Sequence, residues 1–152
     1  MPFKKILFPT DFSDTSNHAL KYAVSLAREY HAELVLVHVV DNSLDYSFAY
    51  SGMTPYQAPL QDYYADIRER TQKLLDDTIE KEVDLTTKTG TEVAFGTPHR
   101  EIIELAKERG ADLIVIGTHG RSGLGHLLIG STAEKVVREA PCPVLTVRKD
   151  QD

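Results

Sequence analysis

The stretch that most constrains this chain is the apolar run Leu113-Ile114-Val115-Ile116 and the glycine-rich loop behind it, Gly117 to Thr132. This strongly apolar run reads as a strand. Five of the nine glycines then fall between Gly117 and Gly130. Glycine lets the backbone take positive φ and approach a ligand closely. A helix-like segment follows, Ala133 to Ala140. Strand, glycine-rich loop and helix start make a phosphate-binding order, because the first N–H groups of a helix and its dipole attract anions.

A structural reading competes with that one. Ser131-Thr132-Ala133-Glu134 has the S-x-x-E spacing of a capping box, so Ser131 could simply start the helix. Gly125 and Gly130 have the glycine spacing of a P-loop, but Ser131 stands where its lysine would be. Arg121 is the nearest replacement cation.

The rest of the chain supplies a frame for this loop. Ile6-Leu7-Phe8, ended by Pro9, reads as a buried strand. Thr10-Asp11-Phe12-Ser13-Asp14 offers several N-caps for a helix with Ala19, Leu20, Ala23, Leu26, Ala27 and Tyr30 on one face. Glu33 to Val40 is nearly all apolar and reads as a second parallel strand. Residues 41–59, with Pro55, Pro59, Gly52 and three tyrosines, read as a long excursion. An amphipathic helix from Leu60 to about Lys81 follows, then an alternating edge strand, Thr91 to Phe95. Thr97-Pro98 predicts a helix start with proline at its first position, and Gly110 its end. Ala111 to Ile116 is the fourth strand and Val144 to Val147 the fifth.

Strands alternating with helices predict one α/β domain over residues 1–152, a parallel sheet with helices on both faces. Right-handed crossovers then require the strand order to reverse once, and ligands bind at strand carboxyl ends beside the reversal. Two strand ends look equipped for chemistry: Pro9-Thr10-Asp11 and the glycine-rich loop. A sheet order of 3-2-1-4-5 sets them side by side.

Composition narrows the partners. A net charge of −6 argues against non-specific binding to nucleic acid or an anionic membrane. No apolar run approaches the length of a membrane span, and Met1 to Lys5 leads into a strand rather than a signal peptide. The expected place is the cytoplasm. Cys142 is the single cysteine, which excludes an internal disulfide, and it reads as a buried inert thiol between two prolines.

These residues resemble the universal stress protein family. Gly117-x-x-Gly120, nine residues, then Gly130-Ser131 is similar to that family's ATP-binding signature. Lys5 to Ser13, Val37-His38-Val39, Ala111 to Gly117 and Pro141 to Leu145 resemble its strands and turns. The resemblance spans residues 2–41 and 90–148. It implies a Rossmann-like fold with order 3-2-1-4-5 and a homodimer through the fifth strand. It also implies binding of ATP, or of ADP or AMP, with Mg²⁺ bridging phosphate oxygens, and a role in stress response. By the resemblance, Pro9 would line the adenine pocket, with Thr10 in the same turn, and Asp11 would accept from ribose hydroxyls. Val39 backbone groups would read the adenine edge. Gly117 and Gly120 would let the backbone approach ribose and α-phosphate, with Thr118 and Arg121 beside them. Gly130, Ser131 and Thr132 would bind phosphates.

Several residues carry a plainer reading beside the functional one. Asp11 is also a good N-cap. His38, in an apolar strand, reads as a hydrogen-bonded core histidine rather than a catalyst. His119 and His126 lack metal-ligand spacing. The tyrosines at 46, 50, 56, 63 and 64 read as packing groups, with a lid or partner surface as the alternative. The favoured function is a nucleotide-binding regulatory module, with slow or no hydrolysis and an unidentified protein partner. A weak ATPase and a dimeric interaction protein with a purely structural loop are the alternatives.

Overall fold

The computed structural model describes residues 2–42, 60–119 and 129–149. Its elements run β1 (Lys5–Pro9), α1 (Asp14–Tyr30), β2 (Glu33–Val40), α2 (Leu60–Glu82), β3 (Thr89–Phe95), α3 (Pro98–Arg109), β4 (Leu113–Gly117), α4 (Ser131–Glu139) and β5 (Val144–Val147). The five strands are all parallel, in the order β3-β2-β1-β4-β5. This is the expected α/β architecture, with helices on both faces.

Local chemistry sets the helix ends. Ser13 caps α1, its hydroxyl accepting the Ser16 N–H at 3.2 Å. His31 ends that helix in the left-handed conformation, with φ of 53°. Thr97 is the N-cap of α3 with Pro98 at the first position, and Gly110 closes it at φ of 62°. Ala111 is not yet strand: its N–H still bonds the Ala106 carbonyl, so β4 starts at Leu113, two residues later than the apolar pattern implies.

The sheet buries both faces. Ile6, Phe8, Leu34, Leu36 and Val115 pack against α1 and α2, with Leu20, Ala23 and Leu75 at the centre. Leu7, Val35, Val37, Ile114 and Ile116 pack against α3 and α4, with Ile102, Ala106 and Val136. Successive strand residues thus feed opposite cores, which is why β2 and β4 read as continuous apolar runs. Cys142 is half-buried beside the second core rather than fully buried, and burial raises its thiol pKa, which disfavours the reactive thiolate.

The two sheet edges differ. On β3, the Val93 carbonyl points away from β2 and accepts from Arg68 of α2 at 3.0 Å, and Gln72 bonds the Thr91 hydroxyl at 2.6 Å. Tyr64 and Arg68 both lie on Phe95, and Tyr63 on Tyr64, which agrees with a packing role for these two tyrosines. Tyr46, Tyr50 and Tyr56 lie outside the described residues. On β5, Val144 and Thr146 direct their backbone groups away from β4, and Leu145 is exposed. Among the described residues, no helix is long and apolar enough to cross a membrane.

Candidate functional site

Helices α1 and α2 cover one face and α3 and α4 the other, so the chain leaves β1 and β4 toward opposite sides. A cleft of about 470 Å³ opens at those two carboxyl ends, a size within the roughly 300–1,000 Å³ of small-molecule sites. Pro9, Val37 and Ile116 make its apolar floor, and Ile102 of α3 a wall.

The turn after β1 is tightly determined. The Thr10 N–H donates to the Val37 carbonyl at 2.8 Å, the last backbone rung between β1 and β2. The Thr10 hydroxyl oxygen accepts from the Phe12 N–H at 3.0 Å and from the Ser16 hydroxyl at 2.9 Å. Asp11 Oδ1 accepts the Ser13 N–H at 2.9 Å. Asp11 is therefore not the helix cap; Ser13 is, and Asp11 shapes the turn ahead of it. Phe12 sits at φ of 62°, a left-handed conformation that costs a non-glycine residue about 1–3 kcal/mol. His38 holds the turn from β2, its Nδ1 lying 2.7 Å from the Thr10 carbonyl. A carbonyl can only accept, so Nδ1 carries the proton. His38 is thus the expected hydrogen-bonded histidine, half-buried and lining the cleft.

The glycines at the ends of the loop serve close approach, not positive φ. A Cβ on Gly117 would meet the Thr15 side chain at 3.2 Å and its carbonyl at 3.3 Å, so this glycine seats α1 against β4. The Gly130 N–H donates to the Thr118 carbonyl, and a Cβ on Gly130 would lie 2.9 Å from that oxygen. Gly130 has φ of −71°. The pinch brings both ends of the loop together and aims α4 at the cleft. Gly120 and Arg121 lie outside the described residues.

One expectation is corrected here. Gly130, not Ser131, is the N-cap of α4, so no capping box forms. Glu134 stands one position too late for it and pairs with Arg138 at 2.7 Å instead. The Gly130 N–H donates to the Thr118 carbonyl. The Gly130 carbonyl accepts the Glu134 N–H at 2.9 Å, the first bond inside the helix. The N–H groups of Ser131, Thr132 and Ala133 have no acceptor within the helix, and all three residues line the cleft.

Val39 supplies backbone on the opposite side. The Val37 carbonyl points toward β1, so two residues on, the Val39 N–H and carbonyl point the same way, past the end of β1. Asp41, Ser16 and Ile102 also line the cleft, and the sequence reading missed them. Asp41 was discoverable: it lies two residues beyond Val39, on the same side of the strand. No lysine or arginine is among the described residues of the cleft, and among those residues the α4 N-terminus is the positive end. Among the described residues no cluster of three metal-ligating side chains occurs.

The sequence matches the model of the universal stress protein family over residues 2–148. The chain belongs to the universal stress protein family. Universal stress protein MJ0531 of Methanocaldococcus jannaschii is 39% identical over 147 residues, 97% of this chain and 83% of that protein. The solved structure of MJ0577, from the same organism, superposes with a TM-score of 0.82 at 28% identity, covering 100% of both chains. A universal stress protein solved in complex with cAMP superposes with a TM-score of 0.64 at 26% identity, over 97% of this chain and 98% of that one.

Of the positions carried over from universal stress proteins, every one among the described residues lines this cleft. The pinch at its mouth can be tested directly. Gly130→Ala is expected to lower stability by about 1–3 kcal/mol, because the methyl must displace a backbone carbonyl. Gly110→Ala, at a position open to solvent, should cost only about 1 kcal/mol through its positive φ. Urea denaturation of the two variants compares them.

Proposed function

We propose that the cleft binds an adenine nucleotide, ATP or its ADP or AMP counterpart, and that the protein is a regulatory binding module with slow or no hydrolysis. The observation that carries this reading is the α4 N-terminus. Ser131, Thr132 and Ala133, whose N–H groups have no acceptor within the helix, line the cleft at one side, and Val39 lines it at the other. Phosphates belong at the first end. A base belongs at the second, where one N–H and one carbonyl match the acceptor and donor on the adenine edge. Asp11 lies between them, where a carboxylate can accept from ribose hydroxyls. The similar universal stress protein solved with cAMP supports a nucleotide in this fold.

The same chemistry makes efficient turnover a weaker reading. Asp11 spends one oxygen on its own turn, and the His119 Nδ1 lies 3.0 Å from the Thr118 hydroxyl. Among the described residues of the cleft, neither faces a lysine or arginine that would serve as the positioned cation. A divalent ion fits as a companion of the phosphates, since their oxygens would supply the ligands. Nucleotide occupancy would then change the loop for a protein partner in the stress response, in the cytoplasm.

We also propose a homodimer through β5. Arg68 blocks the outer edge of β3, while β5 presents the outward backbone of Val144 and Thr146 beside exposed Leu145. An open apolar edge is best satisfied by a second copy. Leu145→Lys is expected to give a monomer in analytical ultracentrifugation; an unchanged dimer would place the interface elsewhere.

Asp11→Ala is expected to weaken ATP binding about ten- to hundredfold in isothermal titration, the loss of hydrogen bonds to a charged acceptor. Wild-type protein that gives neither heat nor competition with ATP would remove the proposal.

A further inference from the structure

The backbone ladder between β1 and β2 stops one rung early, and a side chain stands in the missing rung. The Thr10 N–H reaches the Val37 carbonyl at 2.8 Å. In a continuing parallel ladder the Thr10 carbonyl would next accept the Val39 N–H. It accepts the His38 Nδ1–H instead, at 2.7 Å. The His38 ring also lies on the Phe12 ring, with centroids 4.9 Å apart, and Phe12 is the turn residue with φ of 62°.

We propose that His38 is a positioning residue for the nucleotide: its hydrogen bond to the Thr10 carbonyl ends the β1–β2 ladder, sets Asp11 for the ribose and leaves the Val39 backbone to the base. This inference rests on the nucleotide reading of the cleft and adds to it a residue that acts through the Thr10–Asp11 turn. The bonded carbonyl belongs to the Thr10–Asp11 peptide, so the imidazole fixes the plane from which Asp11 springs. Removing the bond does two things. The Asp11 carboxylate loses its fixed origin, and the Thr10 carbonyl becomes available to Val39. The ring of His38 supports Phe12 separately, by packing, so donor and ring can be removed one at a time.

His38→Phe keeps a ring and removes the donor. His38→Asn keeps a donor near the Nδ1 position and removes the ring. Each protein is titrated with Mg-ATP and with Mg-2′,3′-dideoxy-ATP, which lacks both ribose hydroxyls. The ratio of the two affinities on one preparation is independent of the fraction folded. The expected result is a wild-type preference for ATP that falls about tenfold in His38→Phe, the worth of one hydrogen bond to a carboxylate, and that His38→Asn largely retains. Equal weakening of both ligands in His38→Phe, or a loss in His38→Asn as large as in His38→Phe, would overturn the proposal. A wild-type protein that binds both ligands equally would overturn it too, while leaving nucleotide binding intact. A wild-type protein that binds neither would instead bring down the nucleotide reading, and this inference with it.

Discussion

Right-handed crossover on a parallel sheet is the constraint on which the rest of this structure depends. With α1 and α2 on one face and α3 and α4 on the other, the strand order must reverse, and here it reverses between β1 and β4. The chain leaves those two strands in opposite directions, and a gap opens above their ends. The apolar cores below it are closed, with Ile6, Leu7, Val35 and Ile114 fully buried. The gap is thus not a packing failure. It is what this connectivity leaves when both faces are covered.

Among the described residues, backbone groups rather than cationic side chains give the gap its attraction for anions. The Gly130–Thr118 contact draws the loop ends together and points the start of α4 inward. The strained turn at Phe12 is held by the Thr10 hydroxyl, by Asp11 and by His38, so its conformation is fixed before any ligand arrives. A donor array at one end and a strand edge at the other suit a ligand with an anionic tail and a flat polar base. A chain of net charge −6 can offer such a site because a helix terminus needs no net positive charge around it.

Much of this was legible in the sequence, and the exceptions share a cause. Uninterrupted apolar runs gave away β2 and β4, because strands buried on both faces cannot alternate. Thr97-Pro98 and Gly110 marked α3 correctly, because those signals act within a few residues. The helix read as Ala133 to Ala140 starts at Ser131, and its cap is one residue before the one the S-x-x-E spacing offers, where Gly130 bonds Thr118, twelve positions back. Asp11 was equally ambiguous as cap or ligand until Ser13 took the cap. The role of Ser16 and the partner of His38 depend on which strand lies beside which, and on where β1 stops. Sequence spacing names neither partner. The glycines at 117 and 130, marked in the sequence for approach to a ligand, serve close approach to Thr15 and Thr118 within the fold, and neither has positive φ.

The central claim is that one nucleotide spans the cleft from Val39 to the start of α4. An amide-resolved NMR titration with Mg-ATP tests it most directly. The account predicts saturable shifts at the N–H groups of Val39, Ser131, Thr132 and Ala133, with a common dissociation constant. Saturable binding that leaves those four amides unmoved, or moves only one end of the cleft, would contradict it.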